Sequence, residues 1–363
     1  MENFISTSNN FKINLLNLNL TQMRNFFTSI GEREFYANQV MQWIYKYYCD
    51  DFEKMSNISK SLRKKLSQLC YIAPPYFSNH IRSVDGTIKW CVSIDNNFVE
   101  TVYIPKKKRA TLCISSQSGC TLSCTFCSTG QQKFKRNLTT SEIIGQVWYI
   151  GKLIYHKKLK NLKKITNIVM MGMGEPLLNL NNVVNSLSII MDDIGFNLSK
   201  NRVTLSTAGI VPALNKLKNM IDVSLAISLH APNDIIRNML MPINKKYNIA
   251  SLLNSVRSYL KTSCANRGKV TIEYVMLNNI NDKFHHAREL STLLRYIPSK
   301  INLIPWNVFP NSHYISSDST SIKTFSDILI KNGYVTKIRK TRGFDIDAAC
   351  GQLTGNTINI VQI

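Results

Sequence analysis

The chain reads as an α/β protein: a parallel sheet wrapped by helices, open or curled into a partial (β/α)6 barrel, with a helical accessory region in front of it. Three observations predict this. From residue 110 onward, apolar strand-like runs alternate with amphipathic helical stretches. Residues 13–75 read as helical. Nearly every candidate strand of the second half ends in polar or glycine-rich residues, as expected where strand ends build a site.

In chain order, Val40, Trp43, Ile44 and Tyr47 follow the i, i+3, i+4, i+7 pattern, and Leu62, Leu66 and Leu69 nearly repeat it. Gly31 suits a helix terminator. Pro74-Pro75 marks a boundary. Residues 76–105 read as short strands, with Asp85-Gly86 as a hairpin turn and V-E-T-V-Y-I alternating around Glu100. The six apolar strands of the core are expected at Thr111–Ser115, Ile165–Met171, Arg202–Ser206, Val223–Leu229, Lys269–Leu277 and Ile301–Trp306. Helical stretches such as Ser141–Ile154 and Ile249–Leu260 separate them. The chain divides accordingly into a helical accessory domain (1–75), a β-hairpin extension (76–105), the α/β core (106–345) and a C-terminal loop (346–363).

With 363 residues and 44% apolar content, a full core can be buried. The first residues lack a basic start followed by an apolar stretch, and no apolar run approaches the roughly 18 residues that span a bilayer. Nine cysteines without a secretory signal point to the reducing cytoplasm. The net charge of +23 suits a polyanion such as RNA. It equally suits drift in a chain rich in Asn, Ile and Lys. Lys106, Lys107, Lys108 and Arg109 read either as a basic rim of a site or as a solvated turn.

Cys120, Cys124 and Cys127 stand as C-T-L-S-C-T-F-C after the first core strand. Structural zinc wants four ligands, and the next histidine is His156. Disulfide frameworks belong to short, Cys-dense secreted chains. Three thiolates can instead hold three corners of a [4Fe-4S] cluster and leave one iron open to chelate S-adenosylmethionine, whose sulfonium it can reduce.

Other strand ends add candidates. Gly172-Met173-Gly174-Glu175 could let backbone carbonyls approach a bound amine, or form an ordinary turn. Ser206 and Ser228 end two further strands, and His230 follows in S-L-H-A-P; a lone histidine is as often structural. Asn307, in W-N, could read an adenine edge or serve a turn. Cys113 lies seven residues before the triplet, and Cys350 sits in D-I-D-A-A-C-G-Q-L after T-R-G. Buried cysteine is usually a small hydrophobe. On a loop over a pocket, however, a thiolate can accept a methyl group, and a second thiol can later close a disulfide and release the product.

The segments A-T-L-C-I-S-S-Q-S-G-C-T-L-S-C-T-F-C-S-T-G, M-M-G-M-G-E-P-L-L-N, I-S-L-H-A-P-N, N-L-I-P-W-N and R-K-T-R-G-F-D-I-D-A-A-C-G-Q-L together resemble one family: the bacterial radical S-adenosylmethionine methyltransferases that methylate C2 of adenosine in 23S ribosomal RNA and in tRNA (the RlmN family). The resemblance runs from about Ile13 to Leu353. It implies a radical SAM partial barrel and a cluster on Cys120, Cys124 and Cys127. It implies cofactor contacts from Gly174, Glu175, Ser206, Ser228, Leu229, His230 and Asn307. It further implies that one S-adenosylmethionine methylates Cys350, and that a second is cleaved to a radical that takes hydrogen from this methyl. The resulting carbon radical adds to adenine C2. Glu100 then accepts the C2 proton, and Cys113 releases the product, leaving a Cys113–Cys350 disulfide. A reductant such as flavodoxin with its reductase resets it. RNA partners and an RNA-binding role for the accessory helices follow from the same resemblance; the cytoplasmic location rests on the cysteines, and nothing in the sequence argues against a monomer. The C8-specific sister enzymes share the cluster and both thiols, and a non-catalytic, basic RNA-binding protein with a metal staple is the other alternative. Val308 stands where the family has proline, Phe344 replaces an acidic residue, and the chain ends soon after Gly355.

Overall fold

The computed structural model describes residues 12–159, 162–265 and 267–355. The expectations for residues 1–11 and 356–363 lie outside them. The centre of the molecule is one ten-stranded sheet: β1 (Tyr76–Arg82), β2 (Ile88–Ile94), β3 (Asn97–Pro105), β4 (Ala110–Cys113), β5 (Asn167–Met170), β6 (Val203–Thr207), β7 (Ser224–Ser228), β8 (Val270–Met276), β9 (Ser299–Pro305) and β10 (Val335–Ile338). Its spatial order is its chain order. β1 to β4 pair antiparallel, and β4 to β10 pair parallel.

The six expected core strands are present, each within two residues of its anticipated ends. The extension over residues 76–105 is continuous with the same sheet. A seventh parallel strand, β10, escaped the sequence reading. It is a four-residue edge strand with three exposed positions, so no apolar run announces it.

Three of the first four helices open on a side-chain cap. In the accessory region, α1 (Leu20–Ser29) opens on a reciprocal capping box between Asn19 and Gln22. It ends as expected at Gly31, whose φ of +76° an L side chain resists. α2 (Phe35–Lys46) and α3 (Lys60–Leu69) complete that region. α4 (Thr140–Tyr155) opens on a second box, Thr139 with Glu142. Two details differ from the periodicity. Tyr47 lies past the end of α2 and is half exposed, and Leu69, at the last residue of α3, is exposed as well. The apolar seam is therefore Val40, Ile44, Leu62 and Leu66, all buried.

This seam docks on the outside of the barrel. The Trp148 indole of α4, itself buried, donates to the Ile44 carbonyl at 2.7 Å. Lys152 pairs with Asp50 at 2.6 Å, and Ser141 N donates to Asn17 Oδ1 at 2.7 Å. Pro74 and Pro75 pass so close to Gly145 of α4 that a Cβ there would collide with the Pro75 ring. α5 (Leu180–Met191), α6 (Val211–Leu217), α7 (Asp234–Leu240), α8 (Ile249–Thr262), α9 (Phe284–Leu293) and α10 (Ser319–Lys331) cover the outer face between successive strands. No described helix is long and apolar enough to cross a membrane.

Candidate active site

A cavity of about 180 Å³ opens at the carboxyl ends of the parallel strands. Each strand from β5 to β10 sends a residue into it: Met171 after β5, Ser206 on β6, Ser228 on β7, Glu273 and Val275 on β8, Ile304 on β9 and Arg339 after β10. Cys120, Cys124 and Cys127 form one wall, and Cys350 another. Gly174, Glu175, His230 and Asn307 also line it. Leu229, Cys113 and Glu100 do not. Leu229 is buried, its N–H on the Glu273 carbonyl at 3.1 Å and its carbonyl on Arg237 Nε at 3.1 Å.

The loop after β4 is laced to the loop after β5. The Ser115 hydroxyl donates to the Glu100 carbonyl at 2.7 Å and accepts from Met173 N at 2.9 Å. Ser116 N donates to the Met173 carbonyl at 2.9 Å, and Glu175 N to Gln117 Oε1 at 2.7 Å. Gly174 has a φ of +92° and rests against the Gln117 side chain, a place only glycine fits. The Glu175 carboxylate accepts from Leu177 N at 3.0 Å, Thr207 Oγ1 at 2.7 Å and Ala208 N at 2.8 Å. Burial raises its pKa, against the pull of these donors.

The triplet is half-buried and self-repelling. Burial, then Glu175 and Cys127, raises the Cys120 thiol to about 12. Burial and the two other cysteines raise Cys124, and burial raises Cys127 against backbone N–H donors from Gly130 and Thr129. Among the described residues, no three His, Cys, Asp or Glu groups converge on one point as a single ion needs. A cubane holds its thiolates at separate corners and takes N–H donors to its sulfurs, which suits three thiols spread along a wall with donors aimed at Cys127.

His230 is held in a left-handed conformation, φ +58°. Its Nδ1 accepts from Val275 N at 3.0 Å, which leaves the ring proton on Nε2. Burial, then Arg237, pushes its pKa down to about 3, so the ring is neutral. Its carbonyl accepts from Asn281 Nδ2 at 2.9 Å.

The C-terminal segment closes the site. Asn307 Nδ2 donates to the Cys350 carbonyl at 3.1 Å, and Asn307 Oδ1 accepts from Thr341 at 3.1 Å. Gln352 reaches the Val308 carbonyl at 2.8 Å, and Thr129 reaches that of Leu353 at 2.7 Å. Cys350 is exposed and lies within electrostatic reach of both Cys113 and Cys127. Burial, then Cys350, raises the Cys113 thiol to about 12. Both are free thiols. Glu100 is buried beside them, its Oε1 paired with Lys89 at 2.9 Å and its Oε2 accepting from Thr354 N at 2.7 Å and Gly355 N at 3.1 Å.

Sequence reasoning missed three residues here. Arg237, wholly buried in α7, donates to the carbonyls of Leu229, Ala208 and Ser228 and to Asn244 Oδ1, fixing the ends of β6 and β7. Arg339 pairs with Glu273 at 3.5 Å and faces both thiols. Lys89 is the third. Its K-W pairing in a strand gave no signal, and the Lys106–Arg109 run drew attention instead. That run is the exposed turn between β3 and β4, at the end of β4 away from Cys113; Lys106 lies within reach of Arg109, Arg339, Arg342 and Lys337.

Thiols, a glycine-rich strand end and a C-terminal cap on one barrel mouth define a radical S-adenosylmethionine enzyme. Residues 114–290 match the model of the Radical SAM superfamily, and residues 13–72 match that of the ribosomal RNA large subunit methyltransferase N-terminal domain. The chain is 64% identical over 344 residues to a dual-specificity RNA methyltransferase RlmN of Buchnera aphidicola subsp. Baizongia pistaciae, covering 95% of this chain and 92% of that protein. It is 61% identical over 348 residues to the RlmN of subsp. Acyrthosiphon pisum, covering 96% and 95%. A crystal structure of a radical SAM methyltransferase from Sphaerobacter thermophilus superposes with a TM-score of 0.86 at 34% identity, covering 95% of this chain and all of that one. The chain belongs to the RlmN family of RNA methyltransferases.

Proposed function

We propose that this enzyme methylates C2 of adenosine in 23S ribosomal RNA, near the peptidyl transferase centre, and in tRNA, next to the anticodon. The observation that carries the reading is that Cys350 shares one cavity with the triplet while Cys113 stands within its electrostatic reach on β4. A [4Fe-4S] cluster on Cys120, Cys124 and Cys127 would supply one electron to the sulfonium of bound S-adenosylmethionine, and so the radical chemistry that electron-poor adenine C2 requires.

The chain's own groups do the rest. Gly174, Glu175, Ser206, Ser228, His230 and Asn307 would hold the cofactor, with neutral His230 offering Nε2–H as a donor. Leu229 would serve only through the backbone that spaces its two neighbours. Cys350 as thiolate takes the methyl group by displacement on S-adenosylmethionine, with S-adenosylhomocysteine as the leaving group, and becomes a thioether. Glu100 takes the C2 proton from the thioether-linked nucleoside once its unpaired electron has been given up. Cys113 as thiolate attacks the thioether sulfur, the sulfur–carbon bond breaks with its electron pair on the product carbon, which takes a proton to become the methyl group, and a Cys113–Cys350 disulfide remains for an external two-electron reductant such as flavodoxin with its reductase. The accessory helices and the net charge of +23 support an RNA partner, and membership of an RNA-modifying family supports a cytoplasmic location.

Nucleoside mass spectrometry of ribosomal RNA and tRNA treated with the anaerobically reconstituted enzyme tests the reading. 2-Methyladenosine is expected; 8-methyladenosine alone would refute the C2 assignment.

A further inference from the structure

Lys89 lies on β2 with its side chain 4% exposed, and the Glu100 side chain it pairs with is 2% exposed. Taking an ammonium and a carboxylate out of water costs several kcal/mol, and apolar residues of similar size commonly serve a fold as well or better. The register explains where the pair points. Lys89 stands opposite Val102, Val102 opposite Cys113, and Cys91 opposite Glu100. Because side chains alternate along a strand, Lys89, Glu100 and Cys113 all leave the same face of the sheet. Lys89 Nζ also donates to the Asp347 carbonyl at 3.1 Å, three residues before Cys350.

We propose that Lys89 is a positioning residue for the proton-transfer step: it anchors Oε1 of Glu100 and the Cys350 loop together, so that Oε2 is the oxygen presented to the substrate. This rests on the reading that Glu100 is the proton acceptor. Oε2 is held in this structure by the N–H groups of Thr354 and Gly355. These two donors give it up when the nucleoside enters. The C2–H bond then breaks, the proton goes to Oε2, and the bonding pair stays on the nucleoside. Lys89 neither gains nor loses a proton. Its anchor keeps the protonated side chain from turning away from the thiol pair.

The test uses reconstituted full-length enzyme with an unmodified tRNA transcript, comparing wild type, Glu100→Gln, Lys89→Met and Lys89→Arg. Three readouts separate the steps: S-methylation of Cys350 by intact mass, the covalent protein–RNA adduct on a denaturing gel, and released methyladenosine. In Lys89→Met, S-methylation is expected to persist, the adduct to accumulate, and release to fall by about 10²-fold, the scale of a misplaced general base. Lys89→Arg, which keeps the charge, is expected to recover at least about 10-fold of that loss. Normal release in Lys89→Met, or loss of S-methylation in step with release, overturns the proposal. If Lys89→Met does not fold, Lys89→Gln replaces it with the same two outcomes. Absence of adduct in Glu100→Gln refutes the role of Glu100 itself; accumulation there with normal release in Lys89→Met refutes only the role of Lys89.

Discussion

The backbone N–H of Ser128 donates to the carbonyl of Gly351 at 2.7 Å. The residue after Cys127 thus holds the residue after Cys350, although more than two hundred positions separate them. The Phe126 carbonyl is likewise taken by the Trp306 indole at 3.0 Å. The cysteine triplet, the end of β9 and the C-terminal loop form one bonded unit, and the expected behaviour of variants follows from it.

Cys113→Ala is expected to accumulate a covalent protein–RNA adduct, because release needs its thiol. Cys350→Ala is expected to lose methyl transfer yet keep the brown colour and charge-transfer absorption of the reconstituted protein. Denaturing gels and absorption spectra check both. Normal turnover in either variant would break the two-thiol scheme.

Arg237→Met should destabilise the protein by roughly 2–4 kcal/mol, because several buried carbonyls lose their donor. The ends of β6 and β7 should loosen with it. Urea unfolding gives the stability. Weakened S-adenosylmethionine binding, measured by calorimetry on the folded variant, should accompany the loss; unchanged affinity would detach Arg237 from the site.

Trp148→Phe removes the donor to the Ile44 carbonyl while keeping most of the buried ring, and should cost about 1 kcal/mol. Trp148→Ala should cost about 3–5 kcal/mol through the cavity left behind. Limited proteolysis should then cut between residues 70 and 80 faster than in wild type. Equal protection would mean that α4 does not anchor the accessory helices.

Asp85 ties the β1–β2 turn to the C-terminal segment through Gly343 N at 3.1 Å. Burial raises its carboxyl, but donors from Thr87, Gly343 and Ser83 outweigh burial and bring it from 3.8 to about 2. The folded-state value is the lower one, so this stabilisation is complete above about pH 4 and lost as pH falls toward about 2. Asp85→Asn should flatten the acid limb of stability in that window and leave stability at pH 7 to 8 parallel to wild type. An unchanged acid limb would disprove the assignment.

Much of this was legible in the sequence because it rests on local pattern. The six strands show as apolar runs, and their polar ends mark the cavity mouth. Gly31 and Gly174 stand where φ is positive. What stayed hidden depends on pairing across the sheet. β10 carries no apolar run. Lys89 meets Glu100 only through the β2–β3 register, and Arg237 reads as one more helix cation until its carbonyl partners are seen. The Lys106–Arg109 run stood out in the sequence yet lies at the far end of β4 from Cys113.

The sheet's strands lie side by side in the order in which they are synthesised. Each new strand can therefore settle against the one just made, and short-range closure keeps the entropic penalty of each addition low. The bonds of the C-terminal segment, among them those from Thr354 to Glu100, Gly343 to Asp85 and Gly351 to Ser128, run against this order, since they wait for the tail to leave the ribosome. The strands can thus pair during synthesis, whereas the mouth of the site closes only with the last residues of the chain.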